Sequence, residues 1–171
     1  MVSAPSRNLS LSNPDVLLML EFQKGGKASF EALTRKYYGR VFNFILRIVL
    51  RRDAAEDLTQ EVFIKVYHSG DQYKPQAKFQ TLVFTIAKNL ALNEDKNFLP
   101  ADEELARDET ARLVKEAIHS LPENQRIAVI LRRYENFSYE EIAESLNCST
   151  EAVKPLLSRA KETLKKSFRI T

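Results

Sequence analysis

Apolar residues recur at three- and four-residue steps along most of the chain, which is the spacing of one face of an α-helix. The clearest stripe lies between Ala28 and Leu50. No β-branched segment alternates for long, and only four glycines and six prolines punctuate the sequence. The pattern therefore predicts an all-α protein. The residues of that stripe are Phe30, Leu33, Tyr37, Val41, Phe44, Ile45 and Ile48.

Four helices are predicted in the first half of the chain. Asn13-Pro14 is typical of an N-cap followed by proline in the first turn. Asp53 and Glu56 have the spacing of a capping box at the start of the third helix, whose buried stripe is Leu58, Val62 and Val66. The predicted helices run from Pro14 to near Gly25, from Ala28 to Leu50, from Asp53 to about His68 and, after a loop from Gly70 to Lys78, from Phe79 to about Asn93.

The segment from Asn93 to Asp108 is polar and acidic, contains Pro100 and separates two sets of helices. Such a composition is typical of a linker. The sequence thus predicts two helical lobes, with a tail at 1–13, a first domain at 14–97, a linker at 98–110 and a second domain at 111–171. In the second set, one helix ends near His119 and the next runs from Pro122 to about Glu135. A short helix then runs from Ser138 to Leu146, and the last one from about Ser149 to Phe168.

The segment that begins at Ser138 is the most specific local signal. Ser138 and Glu141 form a capping box, small Ala143 permits close helix approach, and Asn147 stands where a left-handed residue is needed. Ser149 is the expected cap of the following helix. The pattern favours a DNA-binding helix-turn-helix, and the alternative is a helical hairpin in a bundle. The wedge between the two helices is predicted to hold Ile142, Leu146, Cys148, Val153 and either Leu156 or Leu157.

Charge is unevenly distributed, although the net charge of the 171 residues is only +3. From Val153 onward there are six Lys or Arg residues and one Glu, whereas residues 98–152 carry six basic and twelve acidic residues. A basic stripe on the last helix suits a phosphate backbone, although a solvated terminal helix would look similar. The predicted contacts to base edges or phosphates are Lys154, Ser158 and Arg159, with looser phosphate contacts from Lys161, Lys165 and Lys166.

Other classes of protein find little support. No apolar run approaches the roughly 20 residues of a membrane span, and the N-terminus lacks a signal-peptide pattern. Cys148 is the only cysteine, and His68 and His119 lie in different lobes, so no disulfide framework, metal site or catalytic group is expected. We expect a soluble cytoplasmic protein that inserts into no membrane, needs no cofactor and is not an enzyme.

Several motifs together resemble short bacterial RNA polymerase sigma factors of the extracytoplasmic-function (ECF) type, from about Asp15 to Phe168. The motifs are Asp57-Leu-Thr-Gln-Glu-Val-Phe-Ile-Lys-Val-Tyr, Phe79-Gln-Thr-Leu-Val-Phe-Thr-Ile-Ala-Lys-Asn-Leu-Ala, Leu121-Pro-Glu-Asn-Gln-Arg, Ser138-Tyr-Glu-Glu-Ile-Ala and Ala152-Val-Lys. The resemblance implies a first lobe that binds the polymerase core and the −10 promoter element, and a second lobe that binds the −35 element. It also implies an anti-sigma protein as a partner.

Residue roles follow from the same resemblance. It implies a core-binding surface at Asp57, Gln60, Glu61 and Ile64, which share a helix face away from the buried stripe. It implies contacts to the −10 strand from Lys88, Asn89 and Asn93. An ordinary solvated helix face is the alternative interpretation of both sets.

The chain departs from the family pattern at several positions. Leu82 stands where tryptophan is common, and Asn93-Glu-Asp-Lys-Asn replaces a basic pair. Pro155 and Leu156 replace polar or basic residues of the recognition helix, and Pro155 predicts a bend near Glu151 to Pro155 with weak DNA binding by this lobe. These departures leave a second hypothesis open, a sigma-like interaction module that serves as a decoy or scaffold.

Overall fold

The computed structural model of the protein describes residues 13–74, 78–95 and 108–169. Within these ranges the chain forms eight α-helices and no strand, so the predicted all-α fold is confirmed. The helices are α1 (Pro14–Gln23), α2 (Lys27–Val49), α3 (Arg52–His68), α4 (Phe79–Asp95), α5 (Glu109–His119), α6 (Glu123–Tyr134), α7 (Tyr139–Leu146) and α8 (Thr150–Arg169).

The first lobe, α1 to α4, is organised around α2. The predicted stripe of α2 faces inward, and Leu33, Val41 and Ile45 are fully buried. Val62 of α3 and Val83 of α4 are buried in the same core. Burial of each such side chain contributes roughly 1.5–3 kcal/mol relative to exposure, so the stripe is the main reason that α2 is helical over its whole length.

The N-cap predicted for α1 is present. The Asn13 side chain accepts a hydrogen bond of 2.9 Å from the N–H of Asp15, and Pro14 occupies the first turn. Asp15 is itself buried, and its carboxylate accepts hydrogen bonds from Lys36 at 2.6 Å and from the hydroxyl of Tyr37. Burial and the Asp15 carboxylate raise the pKa of Tyr37 well above its ordinary value, so this hydroxyl stays a donor.

The capping box predicted at Asp53 and Glu56 is wrong. Leu50 adopts a left-handed conformation with φ of 58° and ends α2, and the next helix begins directly at Arg52. Asp53 therefore lies inside the first turn, and its side chain is 85% exposed. Glu56 pairs with Arg52 one turn away at 3.5 Å. The residue that ends the preceding helix, rather than the spacing of the acidic residues, determines where α3 begins.

The predicted loop after α3 contains a short 3₁₀ turn, Gly70–Gln72. Gly70 is packed so closely against α1 that a Cβ atom there would lie 2.5 Å from the ring of Phe22. The Gln23 side chain donates to the main-chain carbonyl oxygens of Gly70 at 2.7 Å and Tyr73 at 2.6 Å. These contacts fix the start of the connection to α4.

The second lobe, α5 to α8, buries one side of α6 through Ile127, Ile130 and Leu131. Asn136 turns the chain with φ of 55°, and Phe137 follows it into the core. The Phe137 N–H donates to the carbonyl oxygen of Leu131 at 3.1 Å, which closes the turn between α6 and α7.

The two lobes share one continuous cluster of buried residues. The rings of Phe84 in α4 and Phe137 meet edge to face, with centroids 5.5 Å apart. Arg40 of α2 forms an ion pair with Glu135, and Lys88 of α4 donates to α7. We call this contact of α2 and α4 with α6, α7 and their connection the lobe interface. The linker predicted at 98–110 lies mostly outside the described residues.

Candidate nucleic-acid interface

The capping box of the helix-turn-helix is formed as predicted. The Ser138 hydroxyl accepts from the N–H of Glu141 at 3.1 Å, and the Glu141 carboxylate accepts from the N–H of Ser138 at 3.4 Å. Asn147 ends α7 in the left-handed conformation, with φ of 53° and ψ of 50°. Asparagine tolerates this region better than most residues, so the sequence fixes both ends of α7.

The wedge between α7 and α8 is apolar, as expected. Ile142, Ala143 and Val153 are buried, and Ala143 leaves room for the helices to approach. Leu146 and Cys148 are partly buried against the same core. Leu157 also packs there, and this resolves the predicted choice between Leu156 and Leu157 for that cluster.

The outer face of α8 carries every residue predicted to contact the −35 element or its phosphates. All six side chains are exposed, and among the ion pairs formed by described residues none includes them. Their donors are therefore available to phosphates or base edges. The residues are Lys154, Ser158, Arg159, Lys161, Lys165 and Lys166.

Pro155 lies within α8, which is helical on both sides of it. Proline has no N–H, so the carbonyl of Glu151 loses its helical donor. Pro155 is exposed and lies one helical turn before Ser158 and Arg159. The predicted bend near Glu151 to Pro155 and the weak binding by this lobe remain predictions.

Sequence patterns did not reveal that the end of α8 borders an apolar groove. Val129 of α6 lines it together with Leu157, Leu164 and Phe168 of α8, and Phe168 is 45% exposed. Lys161 and Lys165 also line this groove. The recurrence of Leu157, Leu164 and Phe168 at helical spacing was the available signal, because it extends the apolar face of α8 beyond the wedge.

The proposed core-binding residues of α3 form one exposed face. Asp57, Gln60 and Glu61 are exposed, and the apolar side chain of Ile64 is 56% exposed beside them. An exposed apolar side chain surrounded by polar groups is the arrangement of a protein-binding patch, which has an apolar centre and a polar rim. The geometry thus agrees with the expected face, while its role in polymerase binding remains a proposal.

Sequence reasoning missed a groove next to this face. Two aromatic residues of α2, Tyr38 and Phe42, line it together with Arg52, Glu56 and Gln60 of α3, and Tyr38 stacks on Phe63 with ring centroids 5.9 Å apart. Tyr38 and Phe42 are one helical turn apart on α2. That spacing was the available signal for a second apolar stripe outside the core.

The three residues predicted to approach the −10 strand do not share one open face. Asn89 and Asn93 are exposed, whereas Lys88 is half-buried and donates to the main-chain carbonyl oxygen of Ser145 at 2.6 Å. Burial lowers the pKa of Lys88, and the negative charge of Glu123 partly opposes this shift. Leu82, at the position where the resemblance expects tryptophan, is partly buried against the core.

Residues 13–74, 78–95 and 108–169 contain no group of three or more His, Cys, Asp or Glu residues that could hold a metal ion. None of the helices in that part of the chain is long and apolar enough to cross a membrane.

Comparisons with known proteins agree on both lobes. Residues 33–95 match the family described as Sigma-70 region 2, and residues 111–164 match Sigma-70 region 4. The RNA polymerase sigma-H factor of Pseudomonas aeruginosa is 31% identical, with 90% of this chain and 93% of that protein covered. The ECF RNA polymerase sigma-E factor of Haemophilus influenzae is also 31% identical, with 88% of this chain and 93% of that protein covered.

Solved structures agree on the fold. CnrH in complex with the cytosolic domain of CnrY has a TM-score of 0.83 at 22% identity, with 92% of this chain and 99% of that chain covered. The sigma factor RpoE in complex with the anti-sigma factor NepR from Bartonella quintana has a TM-score of 0.67 at 21% identity, with 82% and 97% covered. Similarity over both regions favours an initiation factor over a sigma-like decoy. The chain belongs to the ECF group of sigma-70-type RNA polymerase sigma factors.

Proposed function

We propose that this chain binds the RNA polymerase core through α3 and directs it to promoters through α4 and α8. The observation that carries the proposal is the helix-turn-helix, in which Ser138 and Asn147 fix α7 and the following helix exposes an unpaired basic face. A helix presented in this way fits the major groove. The proposed domains, 14–97 and 111–171, divide these two tasks.

The polar residues of α8 divide by their position along the helix. Lys154, Ser158 and Arg159 lie in its first three turns, the part that meets base edges in a helix-turn-helix. Lys161 and Lys165 lie further along, where cations meet phosphates and add affinity without sequence preference. We therefore assign promoter choice to the first three residues and salt-dependent affinity to the other two.

The first lobe supplies the remaining contacts. Asn89 and Asn93 are exposed amides that can hydrogen-bond the edges of unpaired bases, and Lys88 would meet a phosphate. On the polymerase side, Ile64 supplies the apolar centre of a patch whose rim is Asp57 and Glu61. Apolar anchors surrounded by charged residues are the usual design of protein interfaces.

An anti-sigma protein is the regulatory partner that we propose. The similar RpoE structure is described as a complex with an anti-sigma factor, and this likeness supports the proposal by analogy. The proposed place of action is the cytoplasm, where the polymerase core and promoter DNA are present. No catalytic role is proposed for any residue of the chain.

Reconstitution with purified bacterial core polymerase tests the proposal. We expect the chain to co-elute with the core and to start transcription at defined positions on upstream DNA fragments. Co-elution without initiation would support the decoy hypothesis instead. Absence of any association with the core would overturn the proposed role of α3.

A further inference from the structure

Pro155 lies on the side of α8 that faces away from the buried core. Each residue turns an α-helix by about 100°, so positions two apart lie on nearly opposite sides of it. Val153 is buried, and Pro155, two positions later, is exposed. Ala160 is buried as well, and Ser158, two positions before it, is exposed. Pro155 and Ser158 therefore share the outer side of the helix.

The polar side chains around Pro155 are the ones to which promoter choice is assigned above. Lys154 precedes it, and Ser158 and Arg159 lie one helical turn after it. All three are exposed. When this side of α8 enters the major groove, the residues of its first turns meet base edges. Pro155 is thus placed among groups that contact bases.

Proline at this position weakens the helix without contributing to the core. It leaves the carbonyl of Glu151 without its helical donor, although α8 continues on both sides of it. Pro155 is exposed and does not belong to the buried cluster. Residues that break a local rule of folding are expected at functional sites, so the exposed ring points to a role in contact with DNA.

The chemistry of proline restricts what this residue can recognise. Its side chain carries no hydrogen-bond donor or acceptor, and the residue has no N–H. The base edges in the major groove present hydrogen-bonding groups, and thymine alone adds a methyl group, at C5. An exposed proline ring therefore complements a thymine and forms no hydrogen bond with any other base edge.

We propose that Pro155 contributes to promoter specificity by packing its ring against the C5 methyl group of one thymine in the −35 element. This inference rests on the proposed function of α8. It adds an apolar contact to the hydrogen bonds assigned to Lys154, Ser158 and Arg159. Lysine and arginine suit the acceptors of guanine, so the expected −35 element combines this thymine with guanines.

Deoxyuridine in place of thymidine tests the contact, because the two bases differ only in the C5 methyl group. Promoters found by mapping start sites with the full chain and core polymerase supply the templates. Each thymine of the −35 element, on either strand, is replaced singly, and binding of the polymerase with the chain is measured by electrophoretic shift. We expect one replacement to weaken binding about fourfold, the effect of removing one buried methylene-sized group. Equal binding to thymine and deoxyuridine at every position would overturn the inference.

Two substitutions separate the apolar contact from the effect of proline on the helix. Pro155→Val and Pro155→Ser both restore an N–H for the carbonyl of Glu151, but only valine keeps an apolar side chain. We expect the valine variant to retain the preference for thymine over deoxyuridine and the serine variant to lose it. The preference is a ratio measured within each variant, so any change in overall affinity from straightening α8 cancels. Equal preferences of the two variants would overturn the inference.

Lys165→Ala is the matched control, because Lys165 lies further along α8 and is assigned a phosphate contact. This variant should bind every template more weakly and keep the preference for thymine. Loss of the preference in this control would overturn its assignment to Pro155. Absence of any chain-dependent binding to upstream fragments would count against the proposed function of α8, and the inference would fall with it. Sequence-specific binding without a preference for thymine would overturn the inference alone.

Discussion

The guanidinium group of Arg40 lies 3.0 Å from the carboxylate of Glu135, and this pair joins α2 to the residue that ends α6. Burial raises the pKa of Glu135 above its ordinary value of 4.5, although the charges of Arg40 and Arg47 oppose that effect. A carboxyl group with a raised pKa in the folded protein binds its proton more tightly when folded. Its contribution to stability is therefore complete below pH 4.5 and is lost as the pH rises through the folded pKa.

The variant Glu135→Gln tests this pH dependence. Lowering the pH from neutrality should stabilise the unmodified protein relative to the variant, because only the former gains a bound proton at this position. Urea unfolding at a series of pH values measures the difference in free energy of unfolding. The control is Glu140→Gln, an exposed neighbour in α7. A difference that does not change with pH would contradict the raised pKa of Glu135.

Ser138→Ala should destabilise the helix-turn-helix. The substitution removes the hydroxyl that accepts from the Glu141 N–H at 3.1 Å, and loss of such a cap costs about 1 kcal/mol. Chemical unfolding gives the free energy directly. Ser158→Ala is the matched control, because Ser158 is an exposed serine in the middle of α8, where alanine is tolerated well. Equal stability of the two variants would show that the capping box contributes nothing.

Pro155→Ala should stabilise the chain and straighten α8. Proline in a helix interior costs roughly 3 kcal/mol of stability. The cost is smaller near the N-terminal end of a helix, so we expect the alanine variant to gain only a part of that free energy. Melting followed by circular dichroism measures the gain, and an electrophoretic shift with promoter DNA measures the effect on binding. We expect tighter −35 binding by the variant. Unchanged stability and unchanged affinity would mean that Pro155 imposes no bend.

Lys165→Ala should weaken DNA binding to the same extent on all sequences. Removing one phosphate contact lowers the slope of log affinity against log salt concentration by about 1. The matched control is Glu162→Gln, which lies on the same helix, is also exposed and removes a negative charge. That control should bind at least as tightly as the unmodified chain. An unchanged salt slope for Lys165→Ala would remove Lys165 from the interface.

Ile64→Asp should impair association with the polymerase core without unfolding the first lobe. Ile64 is 56% exposed, so it contributes little to the core, and a charge there would be buried on binding. We expect the dissociation constant to rise by about tenfold, measured by fluorescence anisotropy with labelled chain. Lys65→Ala, a change at an exposed neighbour in α3, is the control. Equal affinities of Ile64→Asp and the unmodified chain would place the core contact elsewhere.

Local sequence patterns were sufficient for most of the fold. The stripe through Leu33, Val41 and Ile45 predicts α2 because burial and helical spacing coincide. Ser138 and Asn147 predict both ends of α7, since each acts on main-chain groups a few residues away. Asp53 is not a cap, because Leu50 ends α2 in the left-handed conformation and α3 then begins at Arg52. No side-chain pattern predicts that conformation for leucine.

The candidate site was predictable only where it is local. The exposed faces of α3 and α8 follow from helical geometry once the buried stripes are known. The pairing of Lys88 with Ser145 spans 57 residues, and that of Arg40 with Glu135 spans 95. Such contacts depend on how the lobes pack, and helical periodicity carries no information about that packing. From the sequence alone, Lys88 was therefore predicted to be free to contact DNA.

Mapping transcription start sites tests the central claim most directly. Core polymerase is incubated with a library of genomic fragments, with the unmodified chain, with Arg159→Ala or without any addition, and the RNA 5′ ends are sequenced. We predict a set of start sites that requires the chain and that shares sequence elements upstream, with altered promoter preference for Arg159→Ala. Start sites that are the same with and without the chain would contradict its assignment as a promoter-directing sigma factor.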